Sequence, residues 1–286
     1  MALRAKKHEP VTKRLKLFLF GGPGAGKTTA AISFPRSYVI DGERGCDHYA
    51  KQLEASGSVL LQTTDPDDVV TEVRSLATEK HEYRTLVVDP ITPMETTLIE
   101  RGEKEFGAGD MRIWGKRDRT LRRLTNLIMG LDMNVILTAH GKVDYGEKMV
   151  KLGTTFDGWK RLPYIFDLAL ELEKRGKRRV AIVRKTRLEG FGDGEEFDFS
   201  YEEVAKRYGQ EVVSREAVPV AAATAEQTAT LKGLIDTVKL EEGTVDKWLS
   251  KAGVEAIEDL PAEIAAKCID HIRKKISNGA EKGAAA

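Results

Sequence analysis

Residues 15–29 read LKLFLFGGPGAGKTT and carry the strongest structural signal in the chain. The first part, LKLFLF, is an apolar run without strict alternation, which is typical of a parallel strand buried on both faces. The second part contains Gly21-Gly22-Pro23-Gly24-Ala25-Gly26-Lys27-Thr28, which matches the pattern GxxxxGK[ST] between a strand and a helix. We predict a phosphate-binding loop here, followed by a helix through about Ser33 that Pro35 ends.

The residue types of this loop suit a nucleoside triphosphate. Glycines allow backbone N–H groups to surround phosphate oxygens without side-chain clashes. Lys27 is expected to reach the β- and γ-phosphates, and Thr28 to give an oxygen to Mg²⁺. The predicted cofactors are therefore ATP and Mg²⁺, and the alternative is a glycine loop before an ordinary helix. The predicted nucleotide-binding residues are Gly21, Gly22, Pro23, Gly24, Ala25, Gly26, Lys27, Thr28 and Thr29.

Composition narrows the class of protein. The 286 residues are 41% hydrophobic and 32% charged, which is enough for a core and for one large domain or a medium domain with an appendage. Lys and Arg total 46 against 45 acids, so a nucleic-acid surface has to be a local patch. The two distant cysteines argue against a zinc site or a disulfide scaffold. No apolar run approaches the ~20 residues that span a bilayer, and the basic start lacks the apolar region of a secretory signal.

Strands and helices alternate over the first 211 residues. Strands are predicted at 37–41, 85–89 and 134–140, and helices at 66–79, 93–105 and 116–131. The runs at 167–173 and 179–185 flank a charged turn and predict an antiparallel hairpin. The fold class is therefore α/β, with a mostly parallel sheet flanked by helices.

The chain divides by composition. We predict a flexible basic arm over 1–13, an ATPase core over 14–211, a linker over 212–223, a small helical module over 224–276 and a disordered tail over 277–286. The module has eight basic and ten acidic residues, which favours contact with a protein over autonomous DNA binding. The alternative is a stabilising cap on the core.

Acidic residues follow two of the predicted strands. Asp89 ends the apolar run TLVVD, a Walker B pattern, and is predicted to hold Mg²⁺ through water. Asp41, Glu43 and Asp47 lie at or just past the end of the strand at 37–41, where a carboxylate can accept a proton from attacking water. Spacing alone does not choose among these three.

The order GGPGAGKTT, VIDGERG, LVVDP, VILTAH and VRKTR resembles the RecA superfamily, and especially the small RecA-like ATPases of bacteriophages that act in single-strand annealing and recombination. The resemblance covers roughly residues 14–210. It implies a RecA-like core with the second strand beside the P-loop strand, Glu43 as the catalytic base and His140 as a γ-phosphate sensor. Without it, a residue that is hydrogen-bonded at the sheet edge is the favoured interpretation of His140. Pro90 departs from the serine that many relatives have after Walker B.

The resemblance also implies an oligomer. Lys185-Thr186-Arg187 matches the basic pair that reaches the γ-phosphate of a neighbouring subunit, which implies a homo-oligomeric ring or filament with ATP at the subunit interface. The predicted catalytic residues are Lys27, Glu43, His140, Lys185 and Arg187.

Two basic segments suit single-stranded DNA. Residues 141–163 are predicted to form a long irregular loop in which cations meet phosphates and rings stack on bases. The alternative is a solvated lid with Phe156 and Trp159 in the core. The second segment is 111–123. Apart from these two, the cationic run at 174–179 is predicted to form a hairpin tip that suits either DNA or a neighbouring subunit. The predicted DNA-binding residues are Arg112, Lys116, Arg117, Lys142, Tyr145, Lys148, Lys151, Phe156, Trp159 and Lys160.

The function predicted from these features is ATP-driven recombination. We expect an ATPase that binds single-stranded DNA and promotes annealing or strand exchange in phage-type homologous recombination, in the cytoplasm of a bacterial host. One alternative is a DnaB-like ring helicase, which normally carries an additional amino-terminal domain. The other is a P-loop NTPase that does not act on DNA, such as a small-molecule kinase.

Overall fold

The structure is a computed structural model that describes residues 12–145, 151–219, 221–238 and 240–284. Within these ranges the strands are β1 (Lys16–Gly21), β2 (Ser37–Asp41), β3 (Val59–Gln62), β4 (Thr85–Asp89), β5 (Asn134–Tyr145), β6 (Lys151–Asp157), β7 (Leu168–Arg175), β8 (Arg178–Thr186) and β9 (Glu196–Asp198). The helices are α1 (Lys27–Ala31), α2 (Ala50–Ala55), α3 (Pro66–Thr78), α4 (Thr92–Phe106), α5 (Met111–Gly130), α6 (Leu162–Ile165), α7 (Tyr201–Tyr208), α8 (Gln210–Ser214), α9 (Ala225–Thr237), α10 (Thr244–Ala252) and α11 (Ala262–Ala284). None of the described helices is long and apolar enough to cross a membrane.

The strands form one sheet in the order β3-β2-β4-β5-β1-β7-β8-β9, with β6 added to β5. The six strands from β3 to β7 in this order are parallel, whereas β6, β8 and β9 run antiparallel to their neighbours. The predicted mostly parallel α/β sheet with flanking helices and a C-terminal helical module is confirmed. The hairpin predicted at 167–185 is β7–β8.

Helices cover both faces of the central strand, which explains its unbroken apolar run. Every residue of β1 is buried. Phe18 and Phe20 pack in the core formed with α3, α4 and α5, whereas Leu17 and Leu19 face the core that contains α1 and α7. The P-loop therefore follows a strand that is held from both sides.

The position expected for the second strand is wrong. The resemblance implied that β2 lies beside the P-loop strand, but β2 pairs with β3 and β4, and both β4 and β5 lie between β2 and β1. The carboxyl end of β2 nevertheless faces the P-loop, because all of these strands end at the same edge of the sheet.

The irregular loop predicted at 141–163 is also wrong. β5 continues past His140 to Tyr145 and pairs with β6, from Lys151 to Asp157, as an antiparallel hairpin. Thr154 and Thr155 are β-branched and suit a strand. Gly141 and Gly153 are themselves paired residues, Gly141 with Phe156 and Gly153 with Asp144. We call residues 141–145 of β5, together with β6, the β5–β6 hairpin.

Other elements were not anticipated. The sequence argument missed α2, β3, β9 and α7, which are short or half-exposed. The tail from residue 277, expected to be disordered, continues α11 as far as Ala284. Residues 1–11 of the predicted basic arm lie outside the described residues.

The side chain of Arg14 connects the start of β1 to residues 212–216. Its guanidinium is 2% exposed and pairs with Asp132 at 3.0 Å. It also donates to the carbonyl oxygens of Val212 at 3.0 Å, Arg215 at 2.7 Å and Glu216. Residues 212–216, the first part of the predicted linker, are therefore held on the core.

The C-terminal helices dock on α3 and α5 through an acidic residue. Asp259 is buried between the guanidinium groups of Arg74 and Arg123. Arg122 lies 3.5 Å from Glu255 in the same module. Part of the basic segment 111–123 thus serves as the docking surface for the acidic module.

Candidate active site

Glycines shape the loop between β1 and α1. Gly24 and Gly26 have φ angles of +72° and +93°, in the left-handed region that favours glycine. A Cβ atom on Gly21 would lie 2.4 Å from the carbonyl oxygen of Leu172, so no larger residue fits there. The loop therefore turns sharply, with Pro23 exposed and Ala25 buried in the core beneath it.

Lys27 lies along the inside of this loop. Its Nζ donates to the carbonyl oxygens of Gly21 at 2.9 Å and Gly22 at 3.2 Å. Burial lowers the pKa of Lys27, and the charges of Asp89 and Glu43 oppose that shift. The ammonium is thus held among acceptors at the end of β1, where a phosphate chain would lie. Thr29 is engaged elsewhere, with its hydroxyl 3.1 Å from that of Tyr49.

Asp89 is a buried carboxylate that accepts a hydrogen bond from the hydroxyl of Thr138. Burial raises the pKa of Asp89, while Thr138, the nearby hydroxyl of Thr28 and the charge of Lys27 oppose the shift. Sequence reasoning missed Thr138, although a hydroxyl inside the buried run VILTAH was a usable signal.

The donors at this point fit the predicted metal. Thr28 and Asp89 line the same cavity and offer hard oxygen atoms there. Mg²⁺ is commonly bound by one or two carboxylates together with substrate phosphates. A cation here would also compensate the charge of a carboxylate that burial disfavours. The residues present therefore fit Mg²⁺ together with ATP.

Asp41 and Glu43 have different tasks. Asp41 is buried, and its carboxylate accepts the backbone N–H groups of Glu43 at 3.0 Å, Gly45 at 3.1 Å and Cys46 at 2.8 Å. Asp41 therefore holds the loop after β2 in shape. Glu43 makes no such backbone contact and projects from that loop towards the P-loop.

Glu43 and His140 meet across the site. Nε2 of His140 lies 2.9 Å from Oε1 and 3.1 Å from Oε2 of Glu43, and both side chains are half-exposed. They border a cavity of about 430 Å³ that the P-loop, Asp89 and Pro90 also line. The structure thus brings together Lys27, Thr28, Glu43, Asp89 and His140.

Lys185 and Arg187 lie at the other edge of the sheet. Thr186 pairs with Leu168 and Leu168 with Leu17, so both cations stand near the start of β1, away from the P-loop of their own chain. Lys185 donates to the carbonyl oxygen of Phe166, and Arg187 lies 3.3 Å from Asp167. Their action on a neighbouring subunit stays a prediction.

Two of the predicted base-stacking residues are core residues, and that part of the interpretation is wrong. Phe156 packs edge-on against Phe18, with ring centroids 5.1 Å apart, and also contacts Phe20. Trp159 is 4% exposed and belongs to the same core. Phe156 is partly buried against β1 and Trp159 is buried in the core, so neither ring is free to stack on a base.

The predicted DNA-binding cations divide by exposure. Arg117 is wrongly assigned, because its side chain is 17% exposed and pairs with Glu95 at 3.1 Å and Asp118 at 2.8 Å. The cations that remain on the surface are Arg112, paired with Asp110, Lys116, paired with Glu105, Lys142, paired with Asp157, and Lys160. Lys148 lies outside the described residues, as do the side chains of Tyr145 and Lys151.

Trp114 is an aromatic residue that the sequence argument passed over. It is 43% exposed near the start of α5, between Arg112 and Lys116 in the sequence. The guanidinium of Arg117 lies 4.7 Å from its ring. The signal was present as an aromatic inside the basic run MRIWGKR.

A family model for the AAA domain matches residues 13–190. The chain belongs to the AAA domain family. The match spans the P-loop, Asp89, His140 and Arg187, and therefore the whole site of this AAA-type P-loop ATPase domain. No curated protein matches the chain.

Among solved structures, the chain is similar to the RadB recombinase, with 19% identity, 65% of this chain and 87% of that chain covered, and a TM-score of 0.40. It is also similar to the assembled ATPase EscN of the type III secretion system of enteropathogenic E. coli. That match has 13% identity, covers 91% of this chain and 67% of that chain, and has a TM-score of 0.41.

Proposed function

We propose that this AAA domain hydrolyses ATP and that Glu43 is the general base. The observation that carries the proposal is the Glu43–His140 pair at 2.9 Å beside the P-loop and Asp89. Lys27 would neutralise the β- and γ-phosphates, and Thr28 and Asp89 would hold Mg²⁺, which supplies further charge neutralisation when bound. Glu43 would take the proton from the attacking water.

His140 has a positioning role in this proposal. Its Nε2 contacts the carboxylate of Glu43, so the ring fixes the direction in which the other lone pairs of that carboxylate point. His140 also stands on β5 at the point where the strand becomes the β5–β6 hairpin. A change at Glu43 would thus be transmitted to the hairpin through a continuous strand.

We propose single-stranded DNA as the activating partner, with annealing or strand exchange as the outcome. The support is the resemblance to the RecA superfamily, together with exposed Lys142 on the hairpin and exposed Trp114, Arg112 and Lys116 on α5. Cations that contact phosphates and a ring that stacks on bases are the usual means of binding single strands. With Arg187 acting on a neighbouring subunit, the protein would work as a homo-oligomer, and the acidic module offers a surface for a protein partner.

The test is ATP turnover by the full chain with and without an unstructured oligonucleotide. We expect turnover in the presence of Mg²⁺ and a clear stimulation by the single strand. Turnover that ignores DNA would indicate a P-loop NTPase with another partner, and ATP-driven unwinding of a forked duplex would indicate a helicase. Absence of turnover with and without DNA would contradict the proposal.

The same proposal predicts how DNA affinity depends on salt. Lys142→Ala should flatten the plot of log affinity against log salt by about 0.7, because one phosphate contact is lost. Trp114→Ala should weaken binding by ~1–3 kcal/mol at every salt concentration and leave the slope unchanged. The measurement is a salt titration of a fluorescent oligonucleotide.

The matched control is Tyr164→Ala. Tyr164 is an exposed aromatic whose carbonyl accepts from Arg187 near the opposite edge of the sheet. Its removal should not change DNA affinity. Equal losses for Trp114→Ala and Tyr164→Ala would contradict a stacking role for Trp114.

A further inference from the structure

The tip of the β7–β8 hairpin carries five cations, of which Lys177 lies in the turn and the other four form two cross-strand pairs. Lys174 lies opposite Arg179, and Arg175 lies opposite Arg178. Because side chains alternate along a strand, the two pairs point to opposite faces of the sheet. Leu172 and Ala181, which share the face of Lys174 and Arg179, pack in the core with Ala25 and Ala30. The Lys174–Arg179 pair therefore stands on the side of the P-loop and α1.

The pair on the other face is neutralised by carboxylates. Arg175 lies 2.6 Å from Glu196 and 2.8 Å from Glu173. Arg178 lies 2.8 Å from Asp198. Within the part of the chain that the structure describes, Lys174 and Arg179 have no ion pair or side-chain hydrogen bond. Two like charges placed directly opposite each other destabilise a hairpin unless an anion lies between or beside them.

Arg179 lies against the phosphate-binding loop. A Cβ atom on Gly26 would lie 2.2 Å from Nε, 2.7 Å from Cδ and 3.3 Å from Cζ of Arg179. Lys174 lines a cavity of about 560 Å³ with the loop residues Pro23 and Gly24. The same cavity is lined by Lys142 and by Glu171 and Glu173, whose carboxylates pair with Arg184 and Arg175. Both cations thus face the loop whose backbone N–H groups are expected to bind the α- and β-phosphates.

We infer that Lys174 and Arg179 bind the phosphate chain of the nucleotide, opposite Lys27, an inference that rests on the proposed nucleotide binding. Lys27, Lys174 and Arg179 are cations around one loop and repel each other, and each would be attracted by the negative charge of a bound polyphosphate. The planar guanidinium of Arg179 can donate two parallel hydrogen bonds to phosphate oxygens, whereas Lys174 acts as a point charge. Arg175 and Arg178 are engaged by Glu173, Glu196 and Asp198, so they do not take part in this contact.

The experiment compares Arg179→Gln with Arg178→Gln in the full chain. The two residues are neighbours of the same type on the same strand, but only Arg179 faces the loop. We expect Arg179→Gln to weaken binding of the fluorescent ADP analogue mant-ADP about tenfold to a hundredfold, which is the usual effect of losing a hydrogen bond between charged groups. Binding of pyrophosphate, measured by displacement of mant-ADP, should weaken by the same factor, because pyrophosphate contains only the phosphates. Arg178→Gln should bind both like wild type.

Thermal unfolding of the nucleotide-free variants separates binding from a structural role. Arg179→Gln should unfold at the wild-type temperature or above it, since no partner is lost and a repulsion is relieved. Equal mant-ADP affinity of Arg179→Gln and wild type would overturn the inference, as would weaker binding accompanied by a lower unfolding temperature. Wild-type protein that binds mant-ADP but does not hydrolyse ATP would overturn only the proposed function, and wild-type protein that binds neither probe would overturn both.

Discussion

Glu43→Gln is expected to keep ATP affinity close to that of the wild type and to lower turnover ~10²–10⁴-fold, the usual contribution of general-base catalysis. The amide can still contact His140 and water, but it cannot accept the proton. The measurement is phosphate release under saturating ATP, with nucleotide binding followed separately by a fluorescent analogue.

Two neighbouring carboxylates give this prediction its controls. Asp47→Asn should be close to wild type, because Asp47 is exposed and contacts Gln62 at 2.5 Å. Asp41→Asn should lower both binding and stability, because Asp41 accepts three backbone N–H groups that shape the loop. If Asp41→Asn kept its stability and its nucleotide affinity while losing turnover, and Glu43→Gln stayed active, the base would be Asp41.

Arg187→Ala is expected to reduce turnover ~10³–10⁵-fold if it acts on the nucleotide of a neighbouring subunit, as arginines supplied in trans do in other nucleotide hydrolases. Nucleotide affinity of an isolated subunit should not change, since Arg187 lies at the edge of the sheet away from its own P-loop. Arg101→Ala is the matched control, because Arg101 is a similarly exposed arginine paired with Asp65 and Asp67.

Mixing the inactive variants tests the direction of this contact. A mixture of Glu43→Gln and Arg187→Ala subunits contains interfaces with one intact base and one intact arginine, so part of the activity should return. The comparison is a mixture of Arg187→Ala and Lys185→Ala subunits. Both substitutions lie on the same side of the subunit, so this mixture contains no interface with that side intact. No recovery in a freely exchanging mixture of the first pair would argue that Arg187 does not act in trans.

The sequence could predict the features that depend on neighbours along the chain. The P-loop, Asp65 as the cap of α3, and the strand that ends at Asp89 all follow from local patterns, and the structure has them. The place of β2 in the sheet could not be predicted in this way, because strand order depends on which crossover packs best and not on the strand itself. The short strand β3 was missed for a different reason, since its apolar run VLLQ is only four residues long and mostly exposed.

In the candidate site, too, the sequence predicts the chemical groups but not the contacts that distinguish them. Its chemical groups could be read from the residues, but the choice between Asp41 and Glu43 depends on backbone N–H groups that converge only in the folded loop. Phe156 and Trp159 stand among lysines in the sequence, and only their packing on Phe18 and its neighbours places them in the core. Arg178 and Arg179 are indistinguishable by sequence, and only the pairing of β7 with β8 separates their faces.

The clasp formed by Arg14 sets a minimum length for an autonomous catalytic fragment. A fragment cut at residue 190, where the family match ends, would remove β9 and α7 and also the carbonyl groups of Val212, Arg215 and Glu216. Of the described partners of the Arg14 guanidinium, such a fragment would keep Asp132 and lose the three carbonyl oxygens. Losing acceptors around a buried charged donor costs of order 1–3 kcal/mol, a large share of the stability of an ordinary domain. The smallest fragment that keeps the P-loop strand anchored therefore ends after residue 216, well beyond Arg187.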